Sequence, residues 1–157
     1  MARPFSAEGD RVRVMLSSDE REFLDKVLGQ QRGLLRSETP ASDPALVRLF
    51  PPAHPDDPLQ NLEYERVAGA ELLEGRLEAI GVMRSTLESD TLEEPSFMAW
   101  LEALNSLRLV LGTRLDVTED TTEEDFDEEG ARERFDLYRY LTWLQAELLD
   151  VLPAPGP

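Results

Sequence analysis

Trp100-Leu-Glu-Ala-Leu-Asn-Ser-Leu-Arg-Leu-Val-Leu111 carries large apolar side chains at 100, 101, 104, 107, 109, 110 and 111, nearly all the way round a helix. A helix apolar on every side has no face left for water, so this one must be central and buried. Asn105 and Arg108 are the exceptions, three residues apart and therefore on one face. A buried guanidinium needs partners. The last apolar-periodic segment offers them: Leu137, Leu141, Leu144 and Leu148 form a core stripe, the neighbouring face carries Tyr138, Thr142 and Gln145, and Asp136 and Glu147 are the carboxylates within the segment. Tyr138, Thr142, Gln145 and Glu147 are expected to form a polar network with Asn105 and Arg108. Such a network fixes helix register; the alternative is a ligand or anion site built around Arg108.

Working outward, the fold class reads as mainly α, a compact bundle of four to five helices behind a short N-terminal β-hairpin, in one domain over 1–157. Residues 1–16 supply the hairpin: Val12, Val14 and Leu16 alternate with Arg11, Arg13 and Met15, and Gly9 suits the turn. Helices are expected over 17–36, 43–50, 59–87, 92–112 and 132–152. Ser17-Ser-Asp-Glu20 and Thr91-Leu-Glu-Glu94 both match a capping box and would open two of them. The first helix carries Phe23, Leu24, Val27, Leu28, Leu34 and Leu35; the long one carries Ala70, Leu73, Leu77, Ile80 and Leu87. Gly69, Gly75 and Gly81 inside the long helix each cost about 1 kcal/mol against Ala, which suggests a kink or a close helix contact. Pro51 to Pro58 holds four prolines and must be irregular. Residues 116–130 read as a solvated acidic loop, since Asp116 to Glu129 contains nine carboxylates and no basic residue.

Composition excludes several functions. There are 33 carboxylates against 16 Lys and Arg, a formal net charge of −17, so nucleic acid and anionic membranes are repelled over most of the surface. The absence of cysteine removes thiolate catalysis, Zn–thiolate sites and disulfide switching. Met1 to Leu16 has no apolar signal core, and no apolar run reaches about 18 residues, so a cytoplasmic protein is expected. His54, the single histidine, lies among prolines with no Gly-x-Ser-x-Gly elbow, and no Walker or Gly-x-Gly-x-x-Gly loop is present. No catalytic residue and no cofactor is implied.

Two weaker candidate sites are present. Asp125, Asp127, Glu129 and Asp136 occupy positions one, three, five and twelve of a calcium-loop pattern with Gly130 at six. Arg132 stands where an apolar residue normally packs, so a solvated loop is the plainer reading. Arg11 and Arg13 give the hairpin a small basic face, a possible DNA contact that Glu8 and Asp10 partly cancel.

Phe97 to Gly112, then Tyr138-Arg-Tyr-Leu-Thr-Trp-Leu-Gln145, together with Asp43-Pro-Ala-Leu-Val-Arg-Leu-Phe-Pro-Pro52, resemble a family of small actinobacterial proteins catalogued as a domain of unknown function and associated with the oxidative stress regulator AosR. The resemblance implies transcriptional regulation under oxidative stress, through contact with transcription machinery or promoter. Redox-responsive members of that family have a Cys-x-x-x-Cys near the N-terminus; this chain has no cysteine there, so thiol switching does not carry over. The expectation is a non-enzymatic regulator acting by protein–protein contact, as a homodimer. The alternatives are a DNA-binding regulator using the hairpin and a helical domain with a ligand or calcium site.

Overall fold

The computed structural model describes residues 3–39, 42–50, 56–116, 120–122, 125 and 128–154, with side chains omitted at 58 and 61–67. The molecule is mainly α. In chain order it has β1 (Phe5–Glu8), β2 (Arg11–Val14), α1 (Ser18–Ser37), a 3₁₀ helix (Pro44–Leu49), α2 (Pro58–Thr86), β3 (Thr91–Leu92), α3 (Glu94–Leu115) and α4 (Glu129–Asp150). Helix α3 packs against α2, α4, α1, the 3₁₀ helix and β3, as a helix apolar on all sides must.

The hairpin turns at Gly9, whose φ of +62° is in the left-handed region. Val12 and Val14 point inward while Arg11 and Arg13 stay exposed. A third strand was not evident in the sequence. β3 pairs antiparallel with β2, Val12 opposite Leu92, so the residues expected to begin a helix at 92 instead close a three-stranded sheet. Thr91 therefore caps nothing. α3 starts after Glu93, which makes no side-chain cap, with Pro95 in its first turn. The first capping box does form: Ser17 Oγ accepts from Glu20 N at 3.1 Å, and Glu20 Oε1 accepts from Ser17 N at 3.2 Å.

Other boundaries and faces shift. α3 runs past Gly112 to Leu115 and ends on Asp116, held at φ 53° with its N–H on the Gly112 and Thr113 carbonyls. α4 begins at Glu129 rather than 132, so the end of the expected acidic loop is helical. The 43–50 segment is 3₁₀, not α, with Asp43 capping Ala45 N at 3.0 Å. Helix α2 is continuous over 29 residues, and a Cβ built at Gly75 or Gly81 would meet nothing within 4 Å, so no neighbouring element presses on those positions. Of the expected stripe, Ile80 is buried, Leu73 and Leu77 pack half-buried against the core, and Leu87 is buried just past the end of α2, while Ala70 is exposed; α2 also buries Ala79 and Met83. Phe23 is 45% exposed, off the core face of α1.

Trp100 is the centre of the core. It is fully buried, meets Phe5 edge-to-face at 6.0 Å, and donates its indole N–H to Thr86 Oγ1 at 2.7 Å. One side chain thus joins the sheet, α2 and α3 with its polar atom satisfied.

Candidate functional site

Helices α3 and α4 approach closely because Gly112 has no side chain: a Cβ there would lie 3.1 Å from Tyr138 Cε2. One turn back along α3, Arg108 reaches across the seam. Its Nε donates to Thr142 Oγ1 at 2.9 Å, and its Nη1 donates to Gln145 Oε1 at 2.6 Å and to Asn105 Oδ1 at 3.4 Å. Its guanidinium carbon sits 5.6 Å from the centre of the Tyr138 ring. Thr142 passes the chain on, donating to the Tyr138 carbonyl at 2.8 Å. Asn105, Arg108, Tyr138, Thr142 and Gln145 are therefore one connected group. Glu147 is not part of it; two residues past Gln145 it lies on the opposite side of α4, where its carboxylate accepts from Arg3 at 3.1 Å. Neutral oxygens, not a carboxylate, thus meet the Arg108 guanidinium.

Asn105 and Gln145 also border an open groove of about 680 Å³ between α2 and α3. Ala79, Val82, Met98 and Leu101 give it an apolar floor, and Glu78 and Glu102 stand on its rim. Met98 is 51% exposed, a large apolar side chain with little cover. Glu102 lies 3.7 Å from Arg76, itself 30 residues from Ser106, whose hydroxyl accepts from Arg76 at 3.4 Å. Periodicity did not single this groove out, because its floor mixes residues from two helices.

A more deeply buried arginine than Arg108 escaped the sequence reading. Arg21 donates from Nε to the Leu16 carbonyl at 3.0 Å, from Nη1 to those of Leu87 and Ser89 at 2.7 and 2.9 Å, and from Nη2 to that of Val14 at 3.3 Å. It caps the C-terminal end of α2 and ties that end to β2 and the start of α1. The available signal was spacing: Arg21, Leu24, Leu28, Gln31 and Leu35 step by three and four, and all five are buried. Nearby, Tyr140 O–H donates to Glu20 Oε2 at 2.6 Å. Burial and that carboxylate both push the Tyr140 phenol above its ordinary range. Burial also pushes the Glu20 carboxyl up, but hydrogen bonds from Tyr140 and Ser17 outweigh it and hold Glu20 below the usual value.

The remaining candidates are dispersed. Arg11 pairs with Glu93 at 3.0 Å and Arg13 with Glu8 at 3.6 Å, so both hairpin cations already face carboxylates. In the calcium pattern, Glu129 to Asp136 winds into α4 and Gly130 is helical, whereas the pattern needs a turn there. Asp125 accepts from Thr122 N at 2.8 Å. Asp127 and His54 lie outside the described residues. Among the described residues, no group of three His, Asp or Glu side chains is placed to hold a metal ion, and no helix is long and apolar enough to cross a membrane.

The sequence matches the family model DUF2017, described as a domain of unknown function, over residues 2–152. The chain belongs to the DUF2017 family. A Mycobacterium leprae (strain TN) protein named "Putative oxidative stress regulator AosR" is 28% identical over 186 aligned residues, covering 95% of this DUF2017 chain and 86% of that relative. No solved structure matches the present chain.

Proposed function

We propose that this DUF2017 chain is a non-enzymatic regulatory protein of the oxidative stress response that acts by protein–protein contact, and that the α2–α3 groove receives a basic, amphipathic partner segment. The observation that carries the reading is the groove's make-up: an apolar floor around Met98 with Glu78 and Glu102 on the rim. Apolar residues of a helix would cover the floor while its Lys or Arg side chains meet the rim. The net charge of −17 speeds the approach of a basic partner and makes it salt-dependent. A second copy brings the same carboxylates to the same place, so a homodimer through this groove is opposed by like charge; a homodimer would use another face. The regulatory role is supported by the likeness to the M. leprae protein. With no cysteine in the chain, the oxidant signal reaches it through a partner and not through a thiol of its own.

The test is direct binding of a fluorescent synthetic helix with Leu on one face and Lys on the other, beside a scrambled peptide of equal composition. The patterned peptide should bind more tightly and lose affinity as salt rises. Reversing both rim charges, Glu78→Lys with Glu102→Lys, should weaken it at least tenfold. Equal binding of the two peptides, or indifference to charge reversal, would overturn the reading.

A further inference from the structure

A second cleft, of about 350 Å³, lies between α1, α3 and α4, away from the groove lined by α2. Its volume falls within the range of small-molecule sites, roughly 300–1,000 Å³. Leu107, Val110, Leu137 and Leu141 line its interior, so an apolar body can be buried there. Besides Gln30, three polar groups stand out against that lining.

Gln31 is 6% exposed, lines the cleft, and its Nε2 has no hydrogen-bond partner among the described residues. A buried amide donor left unmatched is costly, and because Gln31 lines the cleft, a turn of its side chain would bring that donor to an acceptor held there. Arg114 and Arg134 line the same cleft and also border the adjoining hollow beside Asp43 and Thr113. Arg114 donates to Asp43 Oδ2 at 2.7 Å, so part of its charge is already matched. Arg134 makes no ion pair among the described residues. In a chain carrying a net charge of −17, two arginines at the edge of an apolar cleft form a local exception.

We infer that this cleft binds a small amphipathic carboxylic acid bearing a second oxygen acceptor along its apolar body, such as a hydroxy- or oxo-substituted medium-chain acid. The body lies on Leu107, Val110, Leu137 and Leu141. Arg134 takes the carboxylate, with Arg114 shared between the ligand and Asp43. Gln31 Nε2 donates to the oxygen on the body. A planar guanidinium suits a carboxylate because it can offer two parallel donors. The carboxylate supplies charge complementarity, and the second oxygen supplies selectivity, since a ligand without it leaves the Gln31 donor unmatched.

The experiment is a thermal-unfolding and calorimetric titration of the full chain with octanol, octanoate and 3-hydroxyoctanoate, each below its micelle concentration. Octanoate should raise the unfolding midpoint where octanol does not, and the hydroxy acid should bind several-fold more tightly than octanoate. Arg134→Gln should lower the affinity of both acids at least tenfold. Gln31→Leu should keep octanoate binding and abolish the preference for the hydroxy acid. Equal effects of octanol and octanoate would overturn the proposal, as would unchanged affinity in Arg134→Gln. Equal binding of the two acids by the unsubstituted chain would remove the role given to Gln31, and with it the second-oxygen requirement.

Discussion

Arg21 and Arg108 each carry a guanidinium out of open solvent, at opposite kinds of junction. Arg21 donates to four main-chain carbonyls from β2, the approach to α1, the end of α2 and the loop after it. Arg108 donates to three side-chain oxygens on α3 and α4 alone. The first arginine reinforces a junction that β2–β3 pairing and the Val14 N–H to Asp90 carbonyl bond also hold; the second sets the register of two helices that already share an apolar seam. Main-chain carbonyls at the ends of strands and helices cannot rotate toward water without moving backbone, whereas Thr142 and Gln145 can turn their side chains. Equal charge in two places therefore carries unequal consequence.

The largest expected effect is at the first junction. Replacing Arg21→Met should cost about 3 kcal/mol or more in urea unfolding, since it strands several buried carbonyls at once. Arg108→Met, which leaves half-buried oxygens able to find water, should cost about 1–2 kcal/mol. If the two costs were equal, or their order reversed, the contrast between backbone and side-chain partners would fail. A double-mutant cycle sharpens the second junction. Gly112→Ala should gain nothing in the intact protein, because the tight Tyr138 contact cancels the helix-propensity gain of about 1 kcal/mol. In a Tyr138→Ala background that gain should reappear, a coupling of about 1 kcal/mol between contacting residues. No coupling would mean that the ring yields freely and that the glycine is not what admits it.

The smallest effect tests the link between the two regions. Tyr140→Phe removes the 2.6 Å bond to Glu20 and should cost no more than about 1 kcal/mol at neutral pH. Glu20 is held below its ordinary value of 4.5, so its contribution is complete above that pH and disappears as pH falls through the lowered value. The difference between Tyr140→Phe and the unsubstituted chain should therefore shrink on acidification below 4.5. A difference that stays constant from neutral to acidic pH would show that the carboxylate is not its source.

Much of the α3–α4 seam was legible because a helix repeats every 3.6 residues, so Asn105 and Arg108, and Tyr138, Thr142 and Gln145, fall on definable faces. Glu147 misled because its charge and not its position suggested it: it lies on the side of α4 opposite Thr142 and Gln145, where it pairs with Arg3. The Thr91 capping box misled because two residues suffice to extend a sheet when β2 lies alongside, and pairing with Val12 and Arg13 competes with capping. The α2–α3 groove and the Gln31 cleft were invisible because each is assembled from residues that no single element brings together.

Sequence by itself determined the helical class, the buried central helix, the hairpin turn at Gly9, the capping box at Ser17 and the acidic surface. Each follows from local backbone preference, periodicity or net charge, which act over a few residues or over the whole chain. Only the tertiary structure decided which carbonyls Arg21 holds, which carboxylate Arg3 takes, and where Gln31 is left with an unmatched donor. Those outcomes depend on atoms as far as 66 and 144 residues apart or on a shared interior, and in such places geometry, not residue type, selects the partner.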